Sequence, residues 1–134
     1  MRAAEHRASP LILQLFPSSL TQVPSLIHAT AAAARSASVP IAVHLDHAQD
    51  WGQIQQVADR LPFDSIMVDM SHYDKDDNLA KTDALRQYCQ DRGVSVEAET
   101  GRIEGGEDGI MDTGDLAGTS AYCPTDSTGC CGRF

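Results

Sequence analysis

The residues best suited to chemistry are His44, Asp46 and His47, which lie within the largely apolar stretch PIAVHLDHAQD. Burying ionisable groups beside Ile, Val and Leu costs free energy unless each group has a partner. Imidazole nitrogen and carboxylate oxygen together suit Zn²⁺, and a carboxylate that does not bind the metal can transfer protons. This spacing therefore indicates a metal site, an acid–base site or both.

Further acidic residues occur in two later apolar stretches, DSIMVDM and VSVEAE. Asp69 lies near the end of the first stretch, and Glu97 and Glu99 lie near the end of the second. The carboxyl ends of parallel strands meet at one edge of an α/β sheet, where active sites are built. We therefore expect these carboxylates to converge with residues 44–47 at that edge.

Each of these residues also has an ordinary structural interpretation. A single strand-end Asp, such as Asp69, is more often a helix N-cap or a turn residue than a catalyst. A lone His is more often a hydrogen-bonded structural residue. Glu97 and Glu99 share one face of a strand, so both could simply face solvent at a sheet edge. Independent structural explanations do not predict convergence on one edge, and the convergence favours a site.

Short apolar strands alternate with amphipathic helices in the part of the chain that must position these residues. The predicted strands span residues 11–16, 39–45, 64–70 and 94–99, and the predicted helices span residues 20–36, 50–61 and 76–92. Asp50 is a candidate N-cap, and Gly93 is expected to end the last helix. The alternation predicts an α/β fold with parallel strands and right-handed crossovers. From Gly101 onward the sequence is glycine-rich and acidic, which is typical of a loop.

Composition excludes several classes of function. The 134 residues carry a net charge of −9 and are 42% hydrophobic, which suits one domain with a core. Nucleic acids and anionic membranes require clustered Lys and Arg, so neither is an expected partner. No run of about 18 apolar residues predicts a membrane span, and no secretory leader is evident. The cysteines do not form a spaced disulfide framework, so we predict reduced thiols and a cytoplasmic protein.

Other catalytic chemistries lack their motifs. The sequence contains no G-x-S-x-G nucleophile elbow and no P-loop. A Schiff-base mechanism needs a desolvated lysine. Lys75 and Lys81 are the two lysines of the sequence, and both lie in polar surroundings after the third predicted strand. Metal-assisted and acid–base chemistry remain.

Three stretches together resemble the class II, zinc-dependent ketose-bisphosphate aldolases: VPIAVHLDHAQD, FDSIMVDMSHYDKDDNLAKT and GVSVEAETGRIEGGEDG. They occur in the order of that family, and the resemblance covers residues 9–115. It implies a partial (β/α)₈ TIM barrel of about four parallel strands and three helices. It also implies reversible aldol cleavage of fructose- or tagatose-1,6-bisphosphate to dihydroxyacetone phosphate and glyceraldehyde 3-phosphate. Family members are commonly homo-oligomers.

The resemblance implies Zn²⁺ as cofactor and assigns its neighbours residue by residue. His47 would be a ligand of the catalytic zinc. Asp69 would face a second or displaced metal position, and Glu99 would approach the metal in that displaced position. His44 would support the site without binding the metal. The zinc would polarise the substrate carbonyl as a Lewis acid.

The resemblance also implies two residues for proton transfer. Asp46 would be the general acid/base at the carbonyl end of the substrate, and Glu107 would take part in proton transfer at the donor carbon. The small-molecule partner would then be a sugar bisphosphate.

The sequence departs from the family in ways that bear on activity. Two further ligand histidines, a glycine-rich phosphate loop and an Asn-Thr-Asp-type segment belong to the second half of the barrel, and His6, His28 and His72 do not match those ligands. The stretch LFPSSL lacks the usual Ser-Asn/Pro-Gly pattern. We predict that residues 1–116 form a partial aldolase barrel, that residues 117–134 form a non-homologous disordered tail, and that this fragment is inactive alone.

Two alternatives to an aldolase remain from the residues themselves. One is a catalytically dead half-barrel that binds metal. The other is a small flavodoxin-like α/β domain whose acidic edge binds a cation or a partner. The missing ligand histidines favour the dead half-barrel for the chain as written.

Overall fold

A computed structural model of the chain describes residues 1–101. The strands are β1 (Leu11–Leu15), β2 (Ile41–Ala48), β3 (Ser65–Val68) and β4 (Ser95–Ala98), and the helices are α1 (Arg2–His6), α2 (Ser18–Gln22), α3 (Pro24–Ser36), α4 (Trp51–Arg60) and α5 (Lys75–Gln90). The four strands form one sheet in chain order, and every pair is parallel. This arrangement confirms the predicted α/β fold with parallel strands. The predicted boundary at residue 116 and the tail at 117–134 lie outside the described residues.

The core lies between one face of the sheet and the three longer helices. Alternate strand residues such as Leu45 and Ile66 point to this side and are 0% exposed. They pack against buried residues of α3, α4 and α5, such as Ile27, Ile54 and Leu85. Side chains alternate between the two faces along each strand, so one face of the sheet contributes to the core and the other does not.

We call the opposite side of the sheet the open face. By strand alternation and register it carries Ile12, Gln14, Ala42, His44, Ser65, Met67, Ser95 and Glu97. Ile12 on this face is 64% exposed, although it is a large apolar residue.

Among residues 1–101, no helix is long and apolar enough to cross a bilayer.

The predicted boundaries differ from the observed ones at two informative places. The helix predicted over residues 20–36 is two helices, because Val23 leaves the helical conformation (φ −142°, ψ 63°) and Pro24 begins α3. A proline disfavours the α conformation of the residue before it. The second strand ends at Ala48 instead of residue 45, and α1 was not predicted.

Helix ends follow the predicted chemistry closely. The Asp50 carboxylate accepts a hydrogen bond from the backbone N–H of Gln53 at 2.6 Å, so the predicted N-cap is confirmed. Asp74 caps α5 in the same way, through the N–H of Asp77. Gly93 ends the turn after α5 with a φ of 75°, a conformation that glycine adopts readily.

A polar cluster joins α4 to the C-terminal end of α5. The Asp59 carboxylate accepts hydrogen bonds from Tyr88 Oη, at 2.9 Å, and from Arg92 Nε. The Arg92 guanidinium also lies 3.4 Å from the centre of the Tyr88 ring. The hydrogen bonds from Arg92 and Tyr88 lower the pKa of Asp59.

Replacement of Asp59 by Asn is expected to destabilise the chain slightly at neutral pH and not in strong acid. Because the folded-state pKa lies below the unfolded value of about 3.9, the stabilisation is complete above that value and is lost as pH falls through the folded pKa. Urea unfolding of both proteins across pH measures the difference. A difference that persists undiminished in acid would contradict the role of the Asp59 charge.

Candidate active-site rim

A β-bulge in β2 brings neighbouring polar residues to the same side of the sheet. Leu45 pairs with Ile66, and Ala48 pairs with Val68, so β2 uses one more residue than β3 over this stretch. His47 occupies the bulge with a φ of 51°, in the left-handed region that non-glycine residues seldom adopt.

The bulge changes which residues can meet. In a regular strand, successive side chains such as Asp46 and His47 would point to opposite faces. With the extra residue, Asp46 remains near His44 on the open face while His47 also reaches the open-face side of the next strand. Left-handed backbone in a non-glycine residue is strained by about 1–3 kcal/mol, and such strain is concentrated at functional sites.

Asp69 fixes the imidazole of His47. Its Oδ2 lies 3.2 Å from His47 Nδ1 and accepts a hydrogen bond from the Gln49 side chain at 3.0 Å. Its Oδ1 accepts from the backbone N–H and the hydroxyl of Ser71, at 3.1 and 2.6 Å. Asp69 is 3% exposed. Burial alone would raise the pKa of Asp69, but the hydrogen bonds from Gln49, Ser71 and His47 outweigh burial and lower it.

His47 and Asp69 are arranged like a metal-binding histidine and the carboxylate that supports it. Histidines that bind metals commonly donate their other ring N–H to a carboxylate, which fixes the tautomer and raises ligand basicity. His47 Nδ1 and the Asp69 carboxylate are in that relation. The arrangement fits a zinc ligand in which His47 binds through Nε2.

The aromatic ring of Phe16 lies beside the imidazole of His47. It follows β1, and its ring lies parallel to that of His47, with 6.4 Å between centroids and 6° between planes. Such stacking limits the orientations open to the imidazole. Phe16 lies within the LFPSSL stretch named above.

Glu99 is a further carboxylate near His47. It follows β4, and Asn78 of α5 donates a hydrogen bond to its backbone carbonyl at 3.0 Å. Burial raises the pKa of Glu99, and the negative charge of Asp69 raises it further, whereas His47 lowers it. These interactions place Glu99 within electrostatic range of both His47 and Asp69.

His44 and Asp46 form a second group on the open face. His44 Nδ1 lies 2.7 Å from Ser65 Oγ, and its Nε2 lies 3.9 Å from Asp46 Oδ1 and 3.5 Å from Glu97 Oε2. His44 is 3% exposed. We refer to Asp46, His47, Asp69 and Glu99 together as the rim.

The rim brings together four of the five site residues expected from the sequence, and Glu107 lies outside the described residues. Within residues 1–101, no three side chains of His, Cys, Asp or Glu are arranged to hold a metal ion. A tight zinc site needs three or four ligands in fixed geometry. The rim can thus supply part of such a site.

Sequence reasoning missed several residues that contact the rim or His44. Ser65 shares strand parity with Asp69, so alternation along the third strand could have identified it. Gln49, Ser71 and Phe16 lie in turns or at strand ends, where no periodicity predicts the direction of a side chain.

Comparison with known proteins relates the chain to one family of enzymes. A model of the class II fructose-bisphosphate aldolase family matches residues 1–127. A Coccidioides immitis protein, provisionally named as a fructose-bisphosphate aldolase, is 54% identical over 126 residues, or 88% of this chain and 42% of that protein. A fructose-bisphosphate aldolase of Streptococcus pyogenes is 36% identical over 123 residues, or 87% of this chain and 41% of that protein.

Solved structures give the same result. A crystal structure of a Coccidioides immitis protein, provisionally described as a fructose-1,6-bisphosphate aldolase, is 56% identical and has a TM-score of 0.80 over 87% of this chain and 42% of its own. The YdjI aldolase of Escherichia coli is 28% identical with a TM-score of 0.70, over 77% of this chain and 40% of its own.

This chain therefore spans about two fifths of the length of these relatives, and its parallel strands correspond to part of a TIM barrel. The family resemblance and the partial barrel expected from the sequence are both confirmed. With a family model matching most of its length, the chain belongs to the class II fructose-bisphosphate aldolases, a family of lyases.

Proposed function

We propose that this segment supplies a zinc ligand and the proton-transfer group of a class II ketose-bisphosphate aldolase. The reaction is the reversible cleavage of fructose- or tagatose-1,6-bisphosphate to dihydroxyacetone phosphate and glyceraldehyde 3-phosphate. The bulge in β2 supports the proposal, because Asp46 lies near His44 while the next residue, His47, lies 3.2 Å from Asp69. We further propose a homo-oligomer, as the family resemblance implies, and a cytoplasmic location, as the absence of a spaced disulfide framework suggests.

Each rim residue has a distinct part in this proposal. His47 binds Zn²⁺ through Nε2, and Asp69 holds its ring, while Asp69 and Glu99 also face a second or displaced metal position. Bound zinc supplies Lewis acidity toward the substrate carbonyl. Asp46, which does not bind the metal, moves a proton at the carbonyl end of the substrate, and Glu107 moves one at the donor carbon.

The 134-residue chain by itself is proposed to bind zinc weakly and to lack useful turnover. In this proposal His47 and Glu99 supply two zinc ligands, and within residues 1–101 no three His, Cys, Asp or Glu side chains are arranged to hold a metal ion. This observation favours the alternative of a metal-binding half-barrel for the chain as written. Full activity then requires the remainder of the barrel.

A coupled aldolase assay tests the proposal. We expect zinc-dependent, chelator-sensitive cleavage of a ketose bisphosphate by a complete aldolase chain that contains this segment, and none by the 134-residue chain. A complete chain that turns over equally well after zinc is removed would contradict the proposal. Turnover by the 134-residue chain would contradict the proposed need for the remainder of the barrel.

A further inference from the structure

His44 carries a buried polar atom that nothing in residues 1–101 satisfies. Its side chain is 4% exposed, and its Nε2 has no hydrogen-bond partner. Buried polar atoms in folded proteins are nearly always paired, so an exception needs a physical reason. The hydrogen bonds described above for His47 and Asp69 do not reach this atom.

Two carboxylates flank the unpaired atom. Glu97 Oε2 lies 3.5 Å from His44 Nε2, and Asp46 Oδ1 lies 3.9 Å away. The Asp46 side chain is 13% exposed, whereas that of Glu97 is 61% exposed. Asp46 is therefore the less solvated of the two carboxylates, and it gains more from a protein donor than Glu97 does.

Asp46 has no other donor in the described part of the chain. None of the side-chain hydrogen bonds described for residues 1–101 involves Asp46, and His44 Nε2 lies 3.9 Å from its carboxylate. A general base must be held in a defined orientation to be efficient, since small displacements of a reacting group cost large factors in rate.

The other ring nitrogen of His44 has a hydrogen-bond partner that can select its tautomer. Ser65 Oγ lies 2.7 Å from Nδ1, which is hydrogen-bond distance. If the hydroxyl donates to Nδ1, the ring proton must be on Nε2, because a neutral imidazole has one donor and one acceptor nitrogen. That proton then points toward Asp46 and Glu97.

We propose that His44 is a positioning residue for Asp46: Ser65 fixes its tautomer, and its Nε2–H orients the Asp46 carboxylate for proton transfer. Closing the gap to Asp46 needs a shift of less than about 1 Å to reach ordinary N–H···O distance. The role of Asp46 in turnover rests on the proposed function, but the His44–Asp46 contact does not.

The contact is tested in the 134-residue chain without any activity measurement. Long-range ¹H–¹⁵N spectra of the histidine rings report the tautomer, and His44→Gln identifies the His44 signals. We expect a protonated Nε2 whose signal shifts in Asp46→Ala and a mixed tautomer in Ser65→Ala. Asp76→Ala, on the exposed side of α5, is the matched control and should shift nothing.

An unprotonated Nε2, or a His44 signal that is the same in wild type and Asp46→Ala, would overturn the inference. Ser65→Ala keeps the imidazole in place, so it decides the question even if His44→Gln does not fold.

The kinetic consequence is tested in a complete aldolase chain that contains this segment. We expect His44→Ala to lower kcat by about 10- to 100-fold, with unchanged KM and zinc content. His44→Gln, whose amide N–H can take the place of Nε2–H, should recover most of the loss. In an Asp46→Ala background, His44→Ala should have no further effect.

A purely structural role for His44 gives a different pattern: zinc content and stability fall with kcat, Gln does not rescue, and the two substitutions act additively. That pattern would overturn the positioning role. A wild-type chain that binds zinc but shows no aldol cleavage would overturn the proposed function instead, and the histidine spectra would still decide the contact.

Discussion

Replacing Asp46 by Ala in a complete aldolase that contains this segment is expected to lower kcat by about 10²–10⁴-fold, the usual worth of a positioned general acid or base. Zinc should stay bound, because Asp46 is not one of the proposed ligands. Asp46 lies on the open face beside His44 and next to the bulge that turns His47 toward Asp69.

Steady-state kinetics with metal analysis measures this effect. Asp46→Asn preserves the shape of the side chain and removes its basicity, so its kcat should fall as far. Asp76→Ala is the surface control. Wild-type turnover by Asp46→Asn would exclude the proton-transfer role, and loss of zinc from it would make Asp46 a ligand.

Replacing His47 by Ala should remove most zinc affinity and, with it, turnover. The imidazole is held by Asp69 and stacked beside Phe16, so it is already oriented before metal arrives. Asp69→Asn keeps the imidazole and weakens its support, and it should lower metal affinity by about 10- to 100-fold. We therefore expect a larger loss for His47→Ala than for Asp69→Asn.

Calorimetric titration of zinc into both variants checks this order. His28→Ala is the matched histidine control, because His28 lies exposed on α3 and is not one of the proposed ligands. Zinc affinity that is unchanged in His47→Ala would place the metal elsewhere in the chain.

The fold was predicted from the periodicity of apolar residues, and the structure confirms the parallel strands and the helices that this periodicity predicted. Apolar runs such as LILQL became parallel strands, and the three- and four-residue spacing of apolar residues became α3, α4 and α5. Capping followed from residue type alone at Asp50. The break before Pro24 was also readable, because proline restricts the residue that precedes it.

The geometry of the rim could be predicted only in part. Strand-end position was enough to bring Asp69, Glu99 and residues 44–47 to one edge. Alternation, however, assigns His47 to the face opposite Asp46, and only the bulge reverses this. A bulge depends on how two strands pair, and residue types in one strand do not encode it locally.

Some residues that contact the rim could not be predicted from sequence patterns, because their contacts depend on tertiary structure. The contacts of Gln49 and Ser71 with Asp69 depend on turn geometry, and the contact of Phe16 with His47 depends on the spacing of β1 and β2.

Anomalous diffraction at the zinc edge, from crystals of a complete aldolase chain that contains this segment, tests the proposed site most directly. We expect a zinc peak about 2.0–2.1 Å from His47 Nε2, with the Asp46 carboxylate outside bonding distance and its oxygen within hydrogen-bond distance of His44 Nε2. A zinc ion bound away from His47, or one coordinated by Asp46, would contradict the proposed division between metal binding and proton transfer.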